Sequence, residues 1–255
     1  MKKNIYLTII WGITILAIIF GTFYHSTNWG EKVFDKLGIK SPSHTQHFDE
    51  TLNTFDKISF DVDLSGIEII TGNDYHISYE CTENLIPEYE VKDGTLQVTQ
   101  TSKNPHFPKR NGNDNCEIII TVPKDVSLSD ITGYCDLGDI ELNNLTADNI
   151  SITCDLGAAV LSNVSAASIS CDCNLGSCEI DDCYFNNLTI NNDLGSVDVN
   201  GNISLSDYTM KLSASMGGIA VNGNDYLSSY EQIGDKDKTI TISCDMGSIE
   251  IADTK

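Results

Sequence analysis

Basic residues are scarce. Only 15 Lys and Arg stand against 37 Asp and Glu, a net charge of −22 over 255 residues. That shortage excludes nucleic-acid binding, which needs a positive footprint to displace counterions. It equally disfavours docking on an anionic membrane surface. Past Arg110 there is no histidine and no arginine, so an enzyme acting on acidic glycans would have only Lys211, Lys236, Lys238 and Lys255 beside its outward carboxylates to neutralise its substrate. Paired zinc ligands are missing too. Cys171-Asp172-Cys173 is not a CxxC, and no second pair or histidine lies near it. The calcium-binding nonapeptide G-G-x-G-x-D-x-U-x does not occur.

What is present is a phrase that keeps returning. Ile152-Thr153-Cys154-Asp155-Leu156-Gly157 recurs around Gly138, Gly176 and Gly195, and more loosely around Gly217 and Gly247. The glycines are therefore 19, 19, 19, 22 and 30 residues apart. A fixed period near twenty residues marks a stacked repeat architecture. With 40% hydrophobic residues the chain is also too apolar to be a disordered acidic tail.

One rung can be read by counting from its glycine. Positions −7, −5, −3 and −1 are apolar (Ile150, Ile152, Cys154, Leu156), and the residues between them are polar. That alternation predicts a strand with one buried face, Leu156 included. Apolar residues resume at +2 and +4, as in Val197 and Val199. The change of parity demands a corner, which glycine tolerates. Polar pairs at +5 and +6, such as Asn143-Asn144, make the next turn. A unit of this size cannot bury its own apolar face, so the rungs must stack, about 4.8 Å apart. The fold class expected is all-β: a β-solenoid with rungs of roughly 19–22 residues, preceded by one N-terminal transmembrane helix.

Nine cysteines are many for this length, and the number is odd. Cys135, Cys154, Cys173 and Cys244 share position −3 with Asn192 and Ala214. Cys171, Cys178 and Cys183 also take inward places. These seven read as small buried hydrophobes, with cross-rung disulfides left open, since the rung spacing suits a bridge. Asn192 needs an internal hydrogen-bond partner. Position −2 points outward and carries Asp136, Asp155, Asn174, Asp193, Ser215 and Asp245. Asp136, Asp155, Asp193 and Asp245 are the candidate cation ligands, and calcium would be the ion. Corner capping or a solvated ladder outweighs that reading, and no other cofactor is expected.

The N-terminus has its own character. Met1-Lys2-Lys3 precedes an uncharged run to residue 24. Residues 5–24 are long enough to span a bilayer, and the two lysines place the N-terminus in the cytoplasm. No A-x-A site follows, so an uncleaved signal anchor is expected and the remainder is exported. Four segments result: the anchor at 1–24, a juxtamembrane linker at 25–51, an N-terminal β region at 52–130 that begins and caps the stack, and solenoid repeats at 131–255. Within the β region, Lys92-Asp93-Gly94 marks a hairpin. Residues 101–115 read as an exposed loop with the basic cluster Lys103, Lys109 and Arg110. The insertion at 225–237 is the loop expected to meet a partner or fold over an end.

The strand-rich start, Ile118-Ile119-Ile120-Thr121-Val122-Pro123 and the repeated Leu-Gly-(Ser/Asp)-Ile-Glu-Ile phrase resemble the bacterial putative-adhesin family. The likeness covers residues 55–255. It implies a β-solenoid ectodomain at the cell envelope, often held by one membrane segment, and brings no catalytic residues. The cysteine column departs from the family pattern. The function expected is therefore non-enzymatic: a membrane-anchored surface protein that binds a cell-wall polymer, a host surface or an envelope protein. The alternative is an envelope-stress sensing or accessory protein acting with a membrane regulator, although only Met1-Lys2-Lys3 would lie inside the cell.

Overall fold

Alternating apolar and polar residues become strand almost throughout. The structure is a computed structural model and describes residues 45–101, 116–201 and 203–253, all within the unit His44–Lys255. The anchor expected at 5–24, most of the linker and the basic loop lie outside the described residues. Among the described residues no helix is long and apolar enough to cross a membrane.

The N-terminal region contains β1 (Thr45–Thr51), β2 (Lys57–Leu64), β3 (Gly66–Gly72), β4 (His76–Thr82), β5 (Glu88–Lys92), β6 (Thr95–Gln100) and β7 (Cys116–Pro123). The even repeats follow as β8 (Ser127–Leu137), β9 (Ile140–Asn143), β10 (Thr146–Leu156), β11 (Ala159–Ser162), β12 (Ser165–Leu175), β13 (Cys178–Asp181) and β14 (Tyr184–Gly201). Last come β15 (Tyr208–Met216), β16 (Ile219–Val221), β17 (Asn224–Tyr226), β18 (Ser229–Gln232) and β19 (Asp235–Asp253).

Each repeat is one turn of a coil. β10 lies between β8 and β12, parallel to both, with Cys154 opposite Cys135 and Cys173. β11 lies in the same way between β9 and β13. Buried residues change parity three times in the rung, from Ala147 to Ile150, from Cys154 to Ala159 and from Leu161 to Val164. The rung therefore has three corners. At the glycine corner Gly157 has φ 154°, and a Cβ there would stand 2.0 Å from the carbonyl oxygen of Gly138 in the next rung. No other residue fits so close a backbone approach. At the following corner Asn144, Asn163 and Asp182 have φ of 58°, 54° and 48°, a left-handed conformation that Asn and Asp tolerate best after glycine. Asn163 Nδ2 donates to Asn144 Oδ1 at 2.6 Å.

The order of rungs departs from the order of the chain at both ends. From one end the rungs are β6 with β7, then β2 with β3, then β8 with β9. β10 with β11 and β12 with β13 follow in chain order and lead to β14. The C-terminal β19 then pairs with β14 from Asn187↔Thr239 to Gly201↔Asp253. Beyond β19 lie β15 and β16, which precede it in sequence.

Each end is closed by antiparallel strands. β5 pairs with β6, and β4 with β7. The expected hairpin is the β5–β6 turn, where Asp93 and Gly94 both have positive φ, 50° and 78°. At the far end β17 and β18 pair with β16 and β15, so the insertion at 225–237 folds over the end. Asn222 and Gly223, with φ 48° and 72°, turn the chain back there. A terminal rung without such a cover would present an open edge to other chains.

Two expectations are corrected. The linker expected to run through residue 51 stops at the strand β1, which pairs with β4 from Thr45↔Thr82 to Thr51↔His76. Every residue of β1 is exposed, so it has no buried face to announce it in sequence. The second correction concerns position −1. Leu137, Leu156, Leu175, Leu194, Met216 and Met246 are exposed, not buried. The pairing between rungs skips position −2 throughout (Cys154↔Cys173 is followed by Leu156↔Leu175). The bend therefore begins before the glycine and swings −1 out of the core.

Candidate binding surface

The glycine corner brings a buried column, an acidic column and an apolar column side by side. Innermost is position −3, where Cys135, Cys154, Cys173, Asn192, Ala214 and Cys244 are all buried. Four of them aim a polar atom at a corner carbonyl of a neighbouring rung, while Cys173 faces Ser177 O of its own rung at 3.8 Å. Cys154 Sγ lies 3.3 Å from Gly138 O, Cys135 Sγ 3.4 Å from Ser65 O and Cys244 Sγ 3.6 Å from Gly195 O. Asn192 Nδ2 donates to Gly176 O at 3.0 Å, which is the internal partner its burial required. In the first rung Gln100 takes the same column and uses its Oε1 to accept from the amides of Asp63 and Leu64 at 3.1 and 2.9 Å.

Most of the thiols are poorly suited to chemistry, although the hydrogen bond with Cys135 holds buried Cys154 below its usual range. The Cys135 thiol is held well above its usual range by its hydrogen bond with Cys154 and by burial. Cys173 is raised by Cys178 and burial, Cys178 by Cys171 and burial, and burial lifts Cys183 to about 11. A protonated, inaccessible thiol is neither a nucleophile nor a ready metal ligand. The two remaining cysteines, Cys81 and Cys116, form a disulfide between β4 and β7. That bridge ties down the capped end and is not a link between stacked rungs.

Next outward is position −2. In stack order it reads Asp136, Asp155, Asn174, Asp193, Asp245, Ser215. Asp155 spends both carboxylate oxygens within the protein: Tyr134 Oη donates to Oδ2 at 2.6 Å and Asn174 Nδ2 to Oδ1 at 2.6 Å. Tyr134 is in turn pushed up to about 12, chiefly by that hydrogen bond. Ser215 Oγ donates to Asp245 Oδ1 at 3.2 Å. The neutral residues of the column thus act as donors to the charged ones. Asp136 and Asp193 stand exposed, and Asp193 holds the same −2 place in its rung that Asp245 holds in the adjoining one. Among the described residues no group of three or more His, Cys, Asp or Glu is placed to hold a metal ion.

Two features of this corner escape the sequence reading. One is the exposed apolar column at −1, which the sequence assigns to the core. The other is a second acidic column at +3, where Glu68, Glu141, Glu179, Asp198 and Glu250 are aligned rung by rung, interrupted by Val160. The Glu141 carboxyl is raised by desolvation first and then by Glu68, Asp139 and Glu117. The signal for this column was available, since +3 has outward parity and is acidic in most copies.

A family model, described as Toastrack DUF4097, matches residues 55–252. The chain belongs to this family. The expected putative-adhesin resemblance therefore holds. A solved structure of a putative cell adhesion protein from Clostridium sporogenes is 14% identical, with 82% of this chain and 99% of that one covered and a TM-score of 0.56. At that identity the likeness shows the fold alone. A putative adhesin from Bacteroides fragilis is 15% identical over 82% of this Toastrack chain and 97% of its own, with a TM-score of 0.47. A putative lipid binding protein from Parabacteroides distasonis is 14% identical over 83% and 98%, with a TM-score of 0.35. No curated protein matches the chain.

Proposed function

We propose that this Toastrack protein is a non-catalytic surface module of the bacterial envelope, anchored through residues 5–24 and presenting its repeat domain outside the cell. The observation that carries the reading is the outward face of the corner. Rung after rung it presents the same three columns (−2, −1 and +3), a one-dimensional surface suited to an extended partner. Its polar side chains are engaged in holding one another, as Tyr134, Asp155 and Asn174 are, and its thiols are buried. Membership of the family and the names of the structural neighbours support an adhesin-type role, with a cell-wall polymer, a host surface or an envelope protein as the partner.

The test is binding of the full chain to purified cell wall and to host glycans, with and without a chelator. Saturable binding is expected. Its loss on chelation would assign a cation to Asp136, Asp193 and Asp245. Retention of neither material would overturn the adhesion reading.

A further inference from the structure

The −1 column is an apolar ridge, and it has the wrong character for a free surface. Leu137, Leu156, Leu175, Leu194, Met246 and Met216 follow one another in register, each 42–65% exposed. Five steps of about 4.8 Å give a continuous line roughly 24 Å long. Scattered single leucines need no explanation, but a contiguous apolar patch on a soluble surface marks an interaction site. This one is rimmed with charge of a single sign. Asp136, Asp155, Asp193 and Asp245 run along one side, and Glu141, Glu179, Asp198 and Glu250 lie beyond the corner on the other. Between the ridge and the second acidic column Ala158, Ser177, Ser196 and Gly218 make a low shelf.

The backbone says what conformation an occupant takes. The corner amides along the ridge are already used between rungs: Gly138 N donates to Leu156 O, Gly157 N to Leu175 O and Gly176 N to Leu194 O. An extended peptide would find no free edge to pair with and would leave its own backbone groups unmet. A helix satisfies its own. Over 24 Å it needs about sixteen residues at 1.5 Å each. The acidic rims say what its charge is. A second copy of this chain would bring like columns together, and an anionic bilayer would be repelled in the same way.

We infer that the ridge is the docking site for a cationic amphipathic helix of a partner protein, with its apolar stripe on the Leu/Met column and its flanking Lys or Arg on the two acidic columns. This inference rests on the reading of the corner face as a binding surface, and it names the partner as protein. The low shelf lets the helix backbone approach closely, while the apolar ridge supplies the contact area and the rims set orientation and on-rate.

The probe is a fluorescein-labelled sixteen-residue amphipathic peptide of Leu and Lys, titrated into the full chain and followed by anisotropy. Controls are the Leu/Glu counterpart and a scrambled Leu/Lys peptide with no apolar stripe. The Leu/Lys helix is expected to bind saturably and the controls are not. The variant Leu156→Ser/Leu175→Ser/Leu194→Ser, altered only at exposed positions, should weaken binding about tenfold or more. Glu141→Gln/Glu179→Gln/Asp198→Asn should weaken it similarly and flatten its salt dependence. Unchanged circular dichroism shows that both variants fold. Absence of binding, equal binding of the scrambled peptide, or indifference to the leucine substitutions overturns the inference. So does leucine-dependent self-association in sedimentation, or leucine-dependent binding to phosphatidylcholine vesicles, if the peptide does not bind. Binding to cell wall is measured separately, so failure here and failure of the adhesion reading can be told apart.

Discussion

Cys154 points its thiol at the carbonyl oxygen of Gly138, 3.3 Å away in the adjoining rung. The contact explains why a cysteine occupies a place where alanine or valine would pack as well. The glycine corner interrupts the ladder, and the residue at −3 offers a donor to the carbonyl left there. Asn192 makes the same contact with Gly176 at 3.0 Å.

This capping role can be measured in stability. Asn192→Ala removes an amide donor at a site 2% exposed and should cost about 1–3 kcal/mol in denaturant unfolding. Cys154→Ala removes a weaker S–H donor and a small volume, and its loss should be smaller. Cys154→Asn should be tolerated better than Cys154→Leu, which has the bulk without the donor. If all four variants unfold alike, the column is packing only.

The corner glycines give a sharper contrast. Gly157→Ala places a Cβ 2.0 Å from a backbone carbonyl at φ 154°. It should destabilise by several kcal/mol, of order 3 or more, because neither rung can yield without disturbing the stack. A Cβ at Gly218 would meet nothing within 4 Å, so Gly218→Ala should shift the melting temperature little. Equal effects at the two sites would contradict the corner geometry.

Titration separates the two acidic columns. Tyr134 is raised from 10.0 to about 12, so its hydrogen bond to Asp155 contributes fully below pH 10 and is lost as pH rises through 12. Tyr79, Tyr89, Tyr208 and Tyr230 are raised as well, so phenolate absorbance should show several tyrosines titrating late in the native protein, and Asp155→Asn should move one of them earlier. For Glu141 the folded pKa also lies above the unfolded value. Ionisation therefore costs the folded state, and the penalty appears as pH rises through the carboxylate range. Glu141→Gln should raise the melting temperature at pH 7 and leave it unchanged in acid where Glu141 is protonated.

Thiol counting tests the cysteine assignment. Denatured but unreduced protein should react with an alkylating reagent at seven cysteines and reduced protein at all nine. The Cys81–Cys116 bridge spans 35 residues, and reducing it should cost about 3–4 kcal/mol on the loop-closure argument. Native protein should be almost inert to the reagent, since the free thiols are buried. Rapid labelling of Cys154 or Cys173 in the native state would contradict the inward column.

The sequence alone determined the single rung. Period, inward columns at −7, −5, −3, +2 and +4, the corner at glycine and the Asp93-Gly94 hairpin are all local, because strand parity and turn chemistry act over a few residues. Tertiary structure decided what lies beyond one rung. Which edge β19 joins is a competition between pairings remote in sequence, and the alternating pattern of β19 suits a place between β14 and β15 as well as a place at the end. The exposed β1 carries no periodic mark, since an edge strand is held by backbone pairing. Leu156 looks like a core residue by parity and becomes a surface residue because the chain bends at Asp155. That bend is set by the stacked backbones of neighbouring glycines, and through it the leucines stand in one apolar line between two acidic ones.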